Sequence, residues 1–136
     1  MGGIKNKKNL KRLTLEDIIS AKEKRDRDKL KAEEIEIPSL EGALVFKRPS
    51  DELIFDMIDA LSDNRDTRNV VDEMAKIIYA CCDQLHEKEL YEEFDVGDPV
   101  DIVFEVMDSG DIIDVGDKVC SMNSLYQNAG ETVKNG

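Results

Sequence analysis

The residues of this chain best suited to chemistry are three cysteines and a single histidine. Cys82 and His86 are four positions apart, so a continuous helix would place both on one face and offer two ligands to a soft metal. A structural zinc site usually takes four protein ligands, and only the distant Cys120 could join this pair. The pair could also act as nucleophile and base, but GxSxG, Walker, GxGxxG and HExxH patterns are absent from the chain. We therefore expect no metal, no cofactor and no enzymatic activity.

A second pattern, DxGD, recurs three times, beginning at Asp95, Asp108 and Asp114. Clustered carboxylates could bind calcium, but the alternating ligands and the terminal glutamate of an EF-hand loop are missing. In the first two copies at least, the pattern is typical of a turn glycine followed by an aspartate at or near a helix cap. We expect these aspartates to be structural.

The longest apolar stripe lies on residues 66–85 and predicts the central helix of the core. Polar residues occupy the opposite side of that helix, and Thr67 is the predicted cap of its first turn. Tryptophan is absent and aromatic residues are few, so the core must be mainly aliphatic. The stripe consists of Val70, Val71, Met74, Ile77, Ile78, Cys81 and Leu85.

The remaining patterns predict one hairpin and several shorter helices around the central helix. Glu33–Ile37 alternates as a strand and stops at Pro38, and Ala43–Lys47 resumes strand character. Helical spacing or capping signals favour helices that begin near residues 14, 50, 86, 98 and 111. The sequence thus predicts an α+β fold that is mainly helical, with one β-hairpin (33–47) packed on a bundle of about four to five helices.

The length of 136 residues suits one globular domain, which we place at residues 14–127. We expect residues 1–13 to be a disordered basic arm and residues 128–136 a flexible tail. The net charge is −12, with +6 on residues 1–31 and −18 on residues 32–136. This balance argues against non-specific binding to nucleic acid or to anionic membranes. The odd cysteine count and the lack of a secretory or membrane-spanning segment predict a cytoplasmic protein with reduced thiols.

The order of the segments resembles a known family. Ile35–Gly42 (IEIPSLEG) is followed by Val45–Ser50 (VFKRPS) and then by an acidic apolar helix, and a helix with a charged end (Leu15–Lys31) precedes them. Together, over roughly residues 14–107, these segments resemble the XkdN-like tail assembly chaperones of phages and phage-derived particles in Gram-positive bacteria.

The resemblance implies a non-enzymatic assembly factor in the host cytoplasm that is absent from the mature particle. Such a protein would bind the tape measure protein, keep its apolar helices soluble and help the tail tube assemble around it. Contact with the tail tube protein and self-association are further expectations, with no nucleic acid or membrane partner. The alternative from another class is a small acidic inhibitor that mimics nucleic acid and binds a basic partner protein.

The hairpin and the helix beginning near residue 50 are the nearest elements in sequence to cover the central helix. We therefore predict the partner-binding surface from the apolar faces of the remaining helices. These faces lie on the helix beginning near residue 14 and on the segment from Val100 to Val119. Phe104 and Met107 offer the large, adaptable contacts that binding grooves use. The predicted groove residues are Ile18, Ile19, Val103, Phe104 and Met107.

Overall fold

The computed structural model describes residues 10–128. The chain divides into two compact units, Met1–Leu30 and Lys31–Gly136. The first helix, which we predicted as part of one domain at residues 14–127, therefore belongs to the first unit. Of the predicted arm and tail, residues 1–9 and 129–136 lie outside the described residues.

The first unit contains one described helix, α1 (Leu15–Asp28). Its start is fixed by a capping box: the Asp17 amide donates to the Thr14 hydroxyl at 3.2 Å, and the Thr14 amide donates to the Asp17 carboxylate at 2.9 Å. That backbone hydrogen bond, with the nearby ammonium of Lys11, lowers the pKa of Asp17. No residue of α1 is buried, so its apolar stripe faces solvent.

The second unit begins with the predicted hairpin, formed by β1 (Ala32–Ile37) and β2 (Gly42–Lys47). The strands pair antiparallel, with Ile35 opposite Leu44. A 3₁₀ turn, Pro38–Leu40, joins the strands, and Glu41 closes it in the left-handed conformation with φ of 53°. Alternation places Ile35, Ile37 and Phe46 in the core and points Glu34 and Glu36 to solvent.

Two longer helices, α2 (Asp51–Asp63) and α3 (Thr67–Cys81), follow the hairpin. The Ser50 hydroxyl caps α2, as its position before two acidic residues predicts. The cap of α3 is Asp66, whose carboxylate accepts from the Asn69 amide at 3.0 Å, so the prediction of Thr67 was wrong by one residue. The predicted stripe on α3 is confirmed as core from Val71 to Cys81, while Val70 stays half-buried.

The central helix is shorter than residues 66–85, because Cys82 leaves the helix with extended backbone angles. A 3₁₀ turn, Asp83–His86, continues the chain and still buries Leu85, which explains why the apolar pattern runs on beyond the helix. Three further helices follow: α4 (Lys88–Phe94), α5 (Asp101–Val106) and α6 (Ser109–Cys120). Residues 124–128 are helical as well.

The core of the second unit is built where α6 crosses α3. Gly116 of α6 makes this approach possible, since a β-carbon there would lie only 2.7 Å from the β-carbon of Met74. Phe46, Ile54, Ile102 and Ile112 are fully buried around the crossing. The predicted fold class, a mainly helical α+β fold with one hairpin, is confirmed.

Polar contacts hold the ends of the chain's elements onto this core. The Ser39 amide and hydroxyl both donate to the Asp111 carboxylate, which ties the hairpin turn to the first turn of α6. Asn123 is 1% exposed, and its amide donates to the Pro49 carbonyl at 3.0 Å and to Asp51 at 2.8 Å. A buried amide needs such partners, so Asn123 fixes the turn after α6 against the start of α2.

Candidate partner-binding surfaces

The five residues predicted to form a groove have different positions in the structure. Ile18 and Ile19 lie on α1 of the first unit and are 54% and 49% exposed. Val103 and Met107 are core residues of the second unit, at 0% and 4% exposure, so the expectation that they are incompletely buried was wrong. Phe104 lies on the outer side of α5 and is 41% exposed. Of the predicted residues in the second unit, only Phe104 is therefore open to a partner.

Phe104 separates two shallow clefts beside the first turns of α3, and we call this area the Phe104 surface. One cleft holds about 560 Å³ and is bordered by Arg68, Asp72 and Ser109. The other holds about 260 Å³ and is bordered by Asp72, Lys76 and Asp101. Glu73 faces this second cleft and is only 8% exposed, and the Lys76 ammonium donates to it at 2.8 Å. The surrounding charge is therefore of both signs.

A second surface, which the sequence reasoning missed, is a groove of about 480 Å³ between α2, α3 and α6. Buried Met74 forms part of its lining, and four half-buried apolar residues complete the apolar part: Leu61, Val70, Ile113 and Tyr126. We call this site the Tyr126 groove. Its polar border consists of Asp114 and Asp117 on α6 and Arg65 from the turn between α2 and α3.

Tyr126 is held in the groove by its hydroxyl, which donates to the Asp117 carboxylate at 2.5 Å. Burial, and then this hydrogen bond, raise the pKa of Tyr126 above its ordinary value. Asp114 is exposed, and its carboxylate has no hydrogen bond or ion pair within residues 10–128, so this carboxylate is free to meet a ligand. The groove thus combines an apolar interior with two carboxylates: Asp117, which accepts from Tyr126, and Asp114, which is free.

Sequence reasoning missed the groove because its members were assigned by spacing alone. Leu61, Val70 and Ile113 fall on apolar stripes, which predict burial without saying which stripe residue is left at an edge. A weak signal was present at α6, where Ile112 and Ile113 are adjacent and cannot both face the same neighbour. Ile112 is fully buried and Ile113 is half-buried.

The cysteines and the histidine do not form the arrangement that a catalytic or metal site needs. All three thiols are buried, and burial raises the pKa of Cys81 to about 11 and of Cys120 to about 12. The helix ends before Cys82, so Cys82 and His86 do not share the face of one continuous helix. His86 is engaged elsewhere, with its Nε2 atom 2.6 Å from the Tyr79 carbonyl oxygen. Within residues 10–128, no group of three or more potential ligands is placed to hold a metal ion.

The DxGD copies have structural roles, two of them through contacts with residues distant in the sequence. In the first copy, the Asp98 carboxylate accepts from the Val100 amide at 3.2 Å in the turn before α5. In the second copy, Asp108 is the residue before α6 and Asp111 holds Ser39 of the hairpin turn. The third copy lies within α6 and supplies Gly116 at the helix crossing and Asp117 at the groove.

Comparisons with protein-family models, with curated proteins and with solved structures gave no match to this chain. The described residues include no helix that is both long enough and apolar enough to cross a membrane.

Proposed function

We propose that this chain is a tail assembly chaperone of the XkdN-like kind, from a phage or a phage-derived particle. It binds the tape measure protein in the bacterial cytoplasm, keeps that protein soluble, and is released before the particle is complete. It performs no catalysis. The proposal rests on the resemblance in segment order and on the surface features described above.

The Tyr126 groove is the observation that carries the proposal. A chaperone for apolar helices needs an apolar cleft that stays accessible in water, and helix-in-groove binding is a common way to hold an amphipathic helix. The groove has such a lining on a chain whose net charge is −12. A charge of this size disfavours aggregation of the chaperone and of its complexes.

The segment order supplies the second support. The helix with a charged end, the hairpin with its Pro38 turn and the acidic helix that follows correspond to α1, β1–β2 and α2. In the IPSLEG turn of the hairpin, Ser39 bonds to Asp111 and Asp108 at the start of α6. The serine of this motif therefore joins the hairpin to α6. These features support a shared architecture with the family that the sequence resembles.

Co-expression tests the proposed function. The chain is produced in bacteria together with the tape measure protein encoded in the same tail gene cluster, and the soluble fraction of the tape measure protein is measured. We expect a large gain in soluble tape measure protein and co-purification of the two. Equal insolubility with and without the chain would contradict the proposal. Presence of the chain in purified mature particles would contradict its role as a factor that leaves before completion.

A further inference from the structure

We propose that the Tyr126 groove binds an amphipathic helix of a partner protein whose apolar stripe is bordered by lysine or arginine, with Asp114 as the contact for the basic residue. The inference rests on the proposed function only in taking the partner to be another protein. It adds the chemistry that the partner must present.

The spacing of the lining residues matches the spacing of side chains on a bound helix. Val70 and Met74 are four residues apart on α3, and Ile113 and Asp117 are four residues apart on α6. Four residues correspond to about 6 Å along a helix axis, close to the distance between apolar side chains on successive turns of a bound helix. The volume of about 480 Å³ lies within the range of small-ligand clefts, about 300–1,000 Å³, which is enough space for a few side chains of a bound helix.

Charge selects the flanking residues of that helix. Asp114 and Asp117 border the groove on α6, and Asp117 already accepts from Tyr126, so Asp114 is the carboxylate left for an incoming cation. The long apolar stems of lysine and arginine can lie on Ile113 while their charged ends reach this carboxylate. Residues 32–136 carry a charge of −18, which adds a general attraction for a basic partner.

The same charge argues against a second copy of the chain as the occupant. Two grooves facing each other would bring Asp114 and Asp117 of both copies together, and the net charge of −12 on each copy opposes their approach. Arg65, on the border formed by the turn before α3, is one cation against these carboxylates. A partner of opposite charge is the better match.

Binding of designed peptides to the full-length chain tests this inference. Two helical peptides share one leucine stripe, and the positions beside the stripe are lysine in the first peptide and glutamate in the second. We expect the lysine peptide to bind more tightly at low salt and to lose part of this advantage as salt increases. Asp114→Lys should weaken binding of the lysine peptide by about 3- to 10-fold, the effect of replacing an attraction at the rim by a repulsion.

Asp56→Lys is the matched control, because Asp56 is an exposed carboxylate on α2 that does not line the groove. It makes the same change in net charge and should change binding by less than about 2-fold, as expected for a distant screened charge. Ile113→Asn removes apolar lining and should also weaken the lysine peptide, with circular dichroism used to establish that the variant is folded. Equal effects of Asp114→Lys and Asp56→Lys would overturn the inference, because binding would then follow net charge alone.

Other occupants give other results, each of which overturns the inference. A second copy would show as a dimer in sedimentation that Ile113→Asn dissociates, and the chain's own end would show as peptide binding only after residues 129–136 are removed. Weakening by Phe104→Ala with no effect of Asp114→Lys would assign the peptide to the Phe104 surface.

If the tape measure protein co-purifies equally with wild type and Asp114→Lys, the groove inference fails and the proposed function stands. If the peptide binds the groove but the tape measure protein does not co-purify, the proposed function fails and the groove inference stands.

Discussion

The Phe104 surface and the Tyr126 groove lie beside the same helix, α3, and differ in what they offer to a partner. The Phe104 surface presents one exposed ring between two shallow clefts, with Arg68, Asp72 and Lys76 around it. The Tyr126 groove presents several half-buried apolar side chains and a carboxylate border. A single aromatic residue can anchor a contact, whereas a lined groove can hold apolar side chains from successive turns of a helix.

The difference arises from how closely the neighbouring helices pack on α3. Gly116 lets α6 approach α3 closely at Met74, and Met74 also lines the groove. Helix α5 is short, spanning only Asp101–Val106, and it uses Ile102 and Val103 for the core. Phe104 then projects outward, and Val100 at the start of the helix borders one of the same clefts. The close contact between α3 and α6 thus lies at the Tyr126 groove, whereas the Phe104 surface is built on a short helix.

The largest expected effect separates Met107 from Phe104, which are close in sequence and were both predicted as partner contacts. Met107 is 4% exposed, so Met107→Ala should lower the free energy of unfolding by about 2–5 kcal/mol through lost burial and a cavity. Phe104→Ala should lower it by only about 1 kcal/mol, since the ring is partly in water already. Urea unfolding of both variants measures the difference. Similar losses for the two would mean that Phe104 is a core residue.

Gly116→Ala tests whether the close approach of α3 and α6 shapes the groove. The added β-carbon would lie 2.7 Å from the β-carbon of Met74, which is backbone-attached and cannot swing away. We expect a loss of about 1–3 kcal/mol in the free energy of unfolding, together with weaker binding at the groove. Gly110→Ala is the control in the same helix, because nothing lies within 4 Å of its added β-carbon. That variant should be neutral or more stable by about 0.4–1 kcal/mol, through reduced freedom of the unfolded chain.

Phe104→Ala also tests the Phe104 surface as a binding site in its own right. If the tape measure protein contacts the ring, the variant should lose about 1–3 kcal/mol of binding free energy, the range of a modest hot spot. Calorimetric titration with a soluble fragment of the tape measure protein measures the loss. Unchanged affinity in the folded variant would leave the Tyr126 groove as the better candidate.

The fold was largely predictable, because periodicity reports burial directly. Local sequence neighbours alone determine three of its features: the stripe on α3, the alternation of Ile35 and Ile37, and the Ser50 cap. The end of α3 at Cys82 was not predictable, since Leu85 is buried by a 3₁₀ turn and so imitates one more helical turn.

The surfaces were less predictable, because they depend on contacts between residues far apart in the chain. Met107 was expected to be open, yet it follows the last turn of α5 and is buried in the core. Gly116 falls inside the helix predicted to begin near residue 111, and only its distance to Met74 shows that it serves helix packing. The role of Asn123 depends on Pro49 and Asp51, more than 70 residues away, so no local sequence pattern predicts it.

The smallest expected effect concerns the hydroxyl of Tyr126 in the Tyr126 groove. The aromatic residue of the Phe104 surface has no such group. Tyr126→Phe keeps the ring and removes the hydrogen bond to Asp117, so it should cost about 0.5–1.5 kcal/mol of unfolding free energy near pH 7.

The folded-state pKa of Tyr126 is raised by burial and by this hydrogen bond, whereas the tyrosine of the unfolded chain titrates at about 10. The stabilisation is therefore fully present below about pH 10 and is lost as the pH rises toward the folded-state pKa. Unfolding free energies of wild type and Tyr126→Phe, measured from about pH 8 to about pH 10.5, should converge toward the alkaline end. The buried thiols and Tyr91 titrate in both proteins, so their effects cancel in the difference. A difference that stays constant over this range would show that the folded-state pKa of Tyr126 is not raised, and that its hydroxyl is therefore neither buried nor held by Asp117.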